Sequence, residues 1–411
     1  MSRLAVVTSH PIQYQVPWFR ALAQVVDLEV FFCHRQDAAG QASAGFGHAF
    51  EWDVPLLDGY RYRWLRNVAP RPSVERFSGC STPEIAELLH DGGFDACVVT
   101  GWYLRSYVQA IRACWALRLP VLMRGDSHLG TPRSGLKTAA KFLPYRWLLR
   151  HLDAHLYVGQ ANRAYLQHYG VPDERLFFAP HFVENDRFAQ DAARARASGL
   201  SAALRAAIGA SPDTPVFLFA GKLVPHKRAT DFIQALAGLR ASGRVVHGLV
   251  VGSGPDESAL RDLTSTLAAP VHFAGFRNQS EMPACYAAAD CLVLPSVSET
   301  WGLVVNEAMA CGLPAIVSDA VGSADDLIEP GATGFTFPVA DIPSLWERMT
   351  QVVDRLEQDR SAFVVPVRSK IARYACDAAI VGTLQALDAV APRVRRAAPE
   401  RTPVLSRGDR S

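Results

Sequence analysis

Short apolar runs bounded by turn residues alternate with longer segments of helical period almost from the first residue, and the pattern runs through twice. That alternation is the rhythm of βαβ units, whose parallel strands are buried on both faces and therefore read as continuous apolar runs. In the first half the expected strands are Leu4 to Thr8, Leu28 to Cys33, Ala96 to Thr100, Pro120 to Arg124 and Ala154 to Val158. Helical patterns fall at Val16 to Gln24, Arg105 to Arg118 and Asn162 to Tyr169. The segment 34–81 has weak periodicity and many aromatics and glycines, and reads as an excursion from the sheet.

From Phe177 to Phe188 the chain is loop-like, and an Ala/Arg-rich helical segment follows from Gln190 to Ile208. The alternation then restarts with strands Val216 to Ala220, Val246 to Val251, Val271 to Phe273, Cys291 to Pro295 and Ala315 to Ser318. Helices Ala229 to Ala241, Glu257 to Leu267, Glu281 to Ala288, Leu303 to Cys311 and Pro343 to Leu356 separate or follow them. The expected class is α/β, with one doubly wound parallel sheet in residues 1–185 and a second in 186–391. The cleft between them is the expected ligand site. Residues 392–411, with six arginines among prolines and small polar residues, read as a basic, disordered tail.

Composition narrows the function. The chain has 411 residues, enough for two or three domains, and its 42 Lys and Arg against 40 Asp and Glu leave a formal charge of +2. That balance gives no ground for a nucleic-acid partner. Eight cysteines are scattered without a CxxC pair, as in a reduced cytoplasmic protein. The opening Met1-Ser-Arg-Leu-Ala-Val-Val-Thr reads as a buried strand and not as a signal peptide, and no apolar stretch approaches the roughly 20 residues a bilayer span needs. The segment Arg133 to Arg150 carries Lys137, Lys141, Arg146 and Arg150 at i,i+4 spacing among Leu and Trp, a pattern suited to peripheral contact with an anionic membrane face. The same pattern also describes an ordinary surface helix.

The most informative run is Leu294-Pro-Ser-Val-Ser-Glu-Thr-Trp-Gly-Leu-Val-Val-Asn-Glu-Ala-Met-Ala-Cys-Gly-Leu-Pro, a strand, a short loop and a helix in order. Gly302 and Leu303 stand at the helix start, where unpaired N–H groups and the helix dipole suit a pyrophosphate. Glu299 and Glu307 lie eight positions apart around that start. Carboxylates beside a phosphate repel it, so they are better used as acceptors for sugar hydroxyls. Phe219-Ala-Gly-Lys-Leu-Val-Pro-His-Lys-Arg sets Gly221, Lys222 and Lys227 after another strand, with both ammonium groups within reach of one diphosphate. Val250-Val-Gly-Ser-Gly-Pro, containing Gly254, permits close backbone approach, and Phe273-Ala-Gly-Phe-Arg-Asn, containing Phe276 and Arg277, offers backbone groups to a base.

These residues resemble the family 4 glycosyltransferases, retaining enzymes of the GT-B fold, most strongly from about Phe217 to Phe337. The Glu-x7-Glu signature of that family is met by Glu299 and Glu307. The resemblance implies that Glu299 contacts the donor sugar, Glu307 the ribose, the Gly302 and Leu303 backbone the phosphates, and Lys222 with Lys227 the diphosphate. An Arg often stands in the family at the position of Lys222, so the bidentate fork is lost here while the charge is kept. In the first half, His128 within Gly125-Asp126-Ser127-His128 falls where relatives often carry a histidine facing the reacting sugar. The family's glycine-rich loop after the first strand is replaced by Ser9-His10-Pro11-Ile12-Gln13-Tyr14, which marks His10, Gln13 and Tyr14, with Asp126 and Trp102, as acceptor-side candidates.

The implied activity is transfer of a hexose-type sugar from a UDP- or GDP-type donor to a hydroxyl of a glycan, lipid-linked or small-molecule acceptor. No other cofactor and no metal is expected, since the sequence shows no cluster with metal-ligand spacing and no Asp-x-Asp. Two rivals fit the same signals: a GT-B sugar-nucleotide epimerase or phosphorylase, and a non-catalytic module that only binds sugar nucleotides.

Overall fold

The computed structural model describes residues 2–36, 50–130 and 135–397, with backbone alone at 136–138 and 392–397. Its first sheet contains β1 (Arg3–Thr8), β2 (Asp27–Phe32), β3 (Arg61–Trp64), β4 (Ala96–Val99), β5 (Val121–Gly125), β6 (Ala154–Tyr157) and β7 (Leu176–Phe178). The second contains β8 (Val216–Ala220), β9 (His247–Val251), β10 (Val271–Gly275), β11 (Cys291–Leu294), β12 (Ala315–Ser318) and β13 (Gly334–Phe337). The orders are β3-β2-β1-β4-β5-β6-β7 and β10-β9-β8-β11-β12-β13, with every pairing parallel. The strand order therefore reverses once in each sheet, between β1 and β4 and between β8 and β11. The loops leaving those four strands open a crevice at the strands' carboxyl ends.

The central strands behave as their sequences require. Leu4 pairs with Leu28 on one side and Ala96 on the other, and β8 is buried along its whole length. Two of the first sheet's edge strands escape the sequence reading. β3 lies inside the segment read as an excursion, and β7 inside the stretch read as a loop. The Arg61-Tyr62-Arg63-Trp64 strand is largely exposed and carries its own guard charges: Arg61 pairs with Asp27, and Arg63 lies 3.3 Å from Glu29. Such an edge has no apolar run to announce it. The expected helix from Gln190 to Ile208 is two, Asn185–Ala197 and Leu200–Ala207, parted at Ser198 and Gly199.

The chain's end departs most from expectation. Residues 376–391 were expected in the second domain, yet the helix Cys376–Ala397 packs on the first, where Ala379, Ala386, Leu387 and Val390 join the core formed by Leu4, Val6, Trp18 and Phe32. Trp18 Nε1 donates to Thr383 Oγ1 at 3.3 Å across that seam. The helix also runs through 392–397, so only 398–411 of the expected tail lies outside the described residues. The reason is hydrophobic: one face of the first sheet between β1 and β6 is left uncovered by its own helices, and this helix covers it.

All eight cysteines are free thiols, seven of them buried. Beneath β6, His155 is 1% exposed with Nε2 at 2.9 Å from the Leu149 carbonyl, and burial pushes its pKa down from 6.5 to about 4. The unfolded chain takes up this proton below about pH 6.5 and the folded chain only near pH 4, so stability should fall as pH drops through that window, by roughly 2 kcal/mol at pH 5. Calorimetric melting at pH 7 and pH 5 checks this: His155→Phe should shrink the difference by that share, with His10 supplying another, and a wild-type midpoint that stays level contradicts it.

Candidate active site

The loops leaving β8 and β11 bring three of the expected donor groups together. Lys227 forms an ion pair with Glu299, and Ser296 Oγ donates to the same Glu299 oxygen at 3.0 Å. Both charged side chains are largely buried, at 17% and 15% exposure. Burial lowers the pKa of Lys222, helped by the charge of Lys227 and opposed by Glu299 and Glu75. Glu75 belongs to the first domain, so the lysine pair faces acid from both sides of the cleft. Glu299 is held through its main chain: its N–H donates to Ala320 at 3.2 Å and its carbonyl accepts from Gly322 at 3.0 Å.

Gly302 caps the helix Leu303–Ala310 with φ +92, in the left-handed region. That cap keeps the turn tight and leaves the first N–H groups of the helix facing outward. The strand exits are equally close-packed. Gly221 donates to Val251 at 3.0 Å, Leu223 to Ser253 at 2.9 Å and Gly252 to Gly275 at 2.8 Å. A side chain at Gly254 would sit 2.3 Å from the Leu223 carbonyl. The exits of β8, β9 and β10 are thus laced to one another by backbone.

Glu307 is placed differently from Glu299. It is 3% exposed, and Tyr286 OH donates to Oε2 at 2.5 Å while Tyr14 OH and Gln279 Nε2 donate to Oε1 at 3.2 and 3.3 Å. Burial raises its pKa against the pull of those three bonds. Tyr14, an acceptor-side candidate in the sequence, is therefore in contact with a donor-side carboxylate. Gln13, half-buried, lies beside the Tyr14 hydroxyl. His10 bonds Ser9 Oγ through Nδ1 at 3.0 Å, and burial with the neighbouring His34 lowers its pKa to about 4, leaving it neutral at pH 7.

Asp126 and His128 follow β5. His128 is buried, in a loop held by Asn162 Nδ2 donating to the Ser127 carbonyl at 2.8 Å. Asp126 lies 3.5 Å from His181 Nε2. Burial works against its charge, but the hydrogen bonds of His181 and Thr300 outweigh it and hold the carboxyl below its ordinary range. His181 packs on Trp301 with ring centroids 5.6 Å apart, and its carbonyl accepts from Asn306 at 3.3 Å. Asp126, the interdomain segment and the Glu299 loop therefore form one network. Arg124 anchors it, donating to the Pro180 carbonyl at 3.0 Å from beneath.

Trp102 and Arg277 point elsewhere, and Phe276 meets the first domain at the β10 exit. Trp102 stacks at 6.3 Å on Tyr165 within the first domain's own aromatic core. Arg277 pairs with Glu281 at 2.9 Å and lines a cavity of about 500 Å³ with Leu204, Ile208, Arg261 and Phe273 at the β10 edge. Phe276 packs on Phe50 of the first domain. Residues the sequence reading passed over are His181, Gln279 and Tyr286. His181 had a faint signal, as a lone polar residue in the apolar stretch joining the domains. Gln279 and Tyr286 had none, because their partner lies on another element.

Solved structures with this architecture cover nearly the whole chain. A glycosyltransferase from Rickettsia africae ESF-5 superposes with a TM-score of 0.72 over 97% of this chain and 99% of that one, at 12% identity. HepE of Anabaena, solved in complex with UDP, superposes with a TM-score of 0.70 over 94% of this chain and 100% of that one, at 17% identity. The fold is GT-B: two Rossmann-like domains facing one cleft.

Sequence carries the assignment further for the second domain. Residues 201–364 match the family described as glycosyl transferases group 1. A GDP-mannose-dependent alpha-mannosyltransferase of Mycobacterium tuberculosis is 35% identical over 162 residues, 39% of this chain and 39% of that protein. A GDP-mannose-dependent alpha-(1-6)-phosphatidylinositol monomannoside mannosyltransferase of Mycolicibacterium smegmatis is 30% identical over 228 residues, 53% of this chain and 56% of that protein. The alignment with the first of these relatives thus spans about two fifths of its length.

Proposed function

We propose that the protein is a retaining glycosyltransferase that moves a hexose-type sugar from a nucleoside-diphosphate donor to an acceptor hydroxyl, in glycan, polysaccharide or glycolipid synthesis. The observation that carries this reading is the convergence of Lys222, Lys227 and Glu299, drawn from two strand exits, beside the start of the helix Leu303–Ala310. In the unloaded cleft Glu299 neutralises Lys227. A diphosphate supplies that negative charge instead, and Glu299 is then released to accept from sugar hydroxyls. The two ammonium groups and the outward N–H groups at Gly302 and Leu303 stabilise the leaving diphosphate as the anomeric C–O bond breaks, which is the charge a metal would otherwise carry. The network through Asp126, His181 and Thr300 holds the acceptor domain against the Glu299 loop. Closure of that kind excludes water, the competing acceptor.

The donor-dependent relatives named above support a nucleotide-sugar substrate, and the one named for a phosphatidylinositol mannoside supports a lipid-linked acceptor. On the helix Gly135–Arg150, Leu143 and Trp147 are 72% and 55% exposed, but apolar and basic residues are spread around the helix without separate faces, so it gives no ground for a membrane contact. Among the described residues no helix is long and apolar enough to cross a membrane.

A thermal-shift panel of UDP, GDP and ADP and their sugars tests the donor. A ligand present at 100 times its Kd should stabilise the fold by roughly 2.7 kcal/mol. A panel in which no nucleotide moves the melting midpoint contradicts the proposal. Binding without transfer or slow donor hydrolysis points instead to a non-catalytic module.

A further inference from the structure

The nucleoside half of the cleft is covered by the first domain at two separate points. Of the three groups that fill Glu307, Tyr286 and Gln279 are buried members of the second domain, whereas Tyr14 is half-buried and arrives from the loop after β1. The loop after β10 is covered in the same way. Phe50 lies against Phe276 with ring centroids 4.5 Å apart, Asn278 Nδ2 donates to the Glu51 carbonyl at 2.7 Å, and the Ser280 N–H donates to the Asp53 carboxylate at 3.2 Å. One first-domain hydroxyl thus sits on the carboxylate assigned to the ribose, and one first-domain ring sits on the loop assigned to the base.

We propose that Tyr14 and Phe50 determine the protein's affinity and selectivity for the nucleoside, by occupying the ribose and base positions until a nucleoside displaces them. The inference rests on the donor site proposed above. The chemistry of exchange is like for like. A ribose hydroxyl gives Glu307 the neutral donor that Tyr14 gives it, and a base presents a flat face where Phe50 presents a ring. Gln279 and Tyr286 stay in place, so Glu307 never stands in the interior without partners. A ligand that offers phosphate alone meets Lys222 and Lys227 without disturbing either first-domain group. The covering groups therefore discriminate among nucleosides, favouring those whose ribose and base best replace both contacts, and act against every nucleoside relative to phosphate alone. They also reduce the apparent affinity for those ligands by the fraction of time the position is held.

Calorimetric titration of UDP, GDP, ADP, their 2′,3′-dideoxy forms and inorganic pyrophosphate into the full chain tests this, using wild type, Tyr14→Phe and Phe50→Ala. For whichever nucleoside diphosphate binds wild type most tightly, Tyr14→Phe should bind it about tenfold more tightly, the gain expected when a hydrogen bond to a charged group no longer has to be broken. Pyrophosphate affinity should not change, the dideoxy ligand should show little of the gain, and Phe50→Ala should shift affinity in the same direction. If both variants bind the nucleoside diphosphate no more tightly than wild type, the covering role is wrong while the donor site stands. Equal tightening for pyrophosphate and nucleotide would mean a general opening of the cleft, which also overturns it. Failure of all three proteins to bind any nucleoside diphosphate overturns both the covering role and the donor site.

Discussion

Lys227→Ala should lower sugar transfer by at least about a hundredfold, and Glu299→Gln by a similar factor, the range seen when one preorganised group aimed at developing charge is removed. Their ion pair sharpens the expectation. Lys227 and Glu299 share a largely buried contact, so loss of the lysine leaves a carboxylate without its partner next to the proposed diphosphate site. The remaining charge then repels the donor as well as failing to neutralise it. Glu299→Gln keeps the shape and the acceptor oxygen but frees Lys227, so phosphate binding should survive while sugar orientation fails. The double substitution should cost less than the product of the two single losses, because each residue acts on the other. Initial rates with donor and acceptor varied separately, on variants whose melting midpoints match wild type, read all three. Turnover unchanged in either single variant removes that residue from the mechanism.

The second large effect is structural. Gly252→Ala should destabilise the second domain by roughly 3 kcal/mol or more, since the backbone there holds φ +137 and a Cβ would stand 1.9 Å from the Gly221 carbonyl oxygen. Neither atom belongs to a flexible side chain, so the strand exits themselves must part. Gly221 immediately precedes Lys222, and the displacement therefore reaches the phosphate site before it reaches the core. Gly243→Ala is the matched control, with φ +87 and nothing within 4 Å, so it bears the conformational cost alone, about 1 kcal/mol. Urea midpoints separate the two, and equal losses would mean that the close approach of β8 and β9 contributes nothing.

The contrast between Glu299 and Glu307 shows how far the residues alone could be read. Both stood in one specific string, and chain order was enough to set them after β11 and on its helix. Lys227 was set at the same end of the sheet by its strand exit, but its direct contact with Glu299 was not foreseen. What escaped depends on the other domain. Tyr14 was assigned to the acceptor side because it follows the first strand, and only the facing of the two sheets brings it to Glu307. His181 was passed over for a similar reason, since its partners Asp126 and Trp301 come from opposite domains. β3 was missed because an edge strand needs only one neighbour and can dispense with an apolar run, and β7 because its apolar run, Leu176 to Phe178, is only three residues long and leads straight into a loop.

The helix Cys376–Ala397 has a consequence for how the protein is made. Its residues complete the apolar layer over β1, Trp18 and Phe32, so the first domain holds an unfinished surface throughout translation of the second. Only when that helix has left the ribosome can the surface close, and a nascent chain stalled before it would present an apolar strip to chaperones.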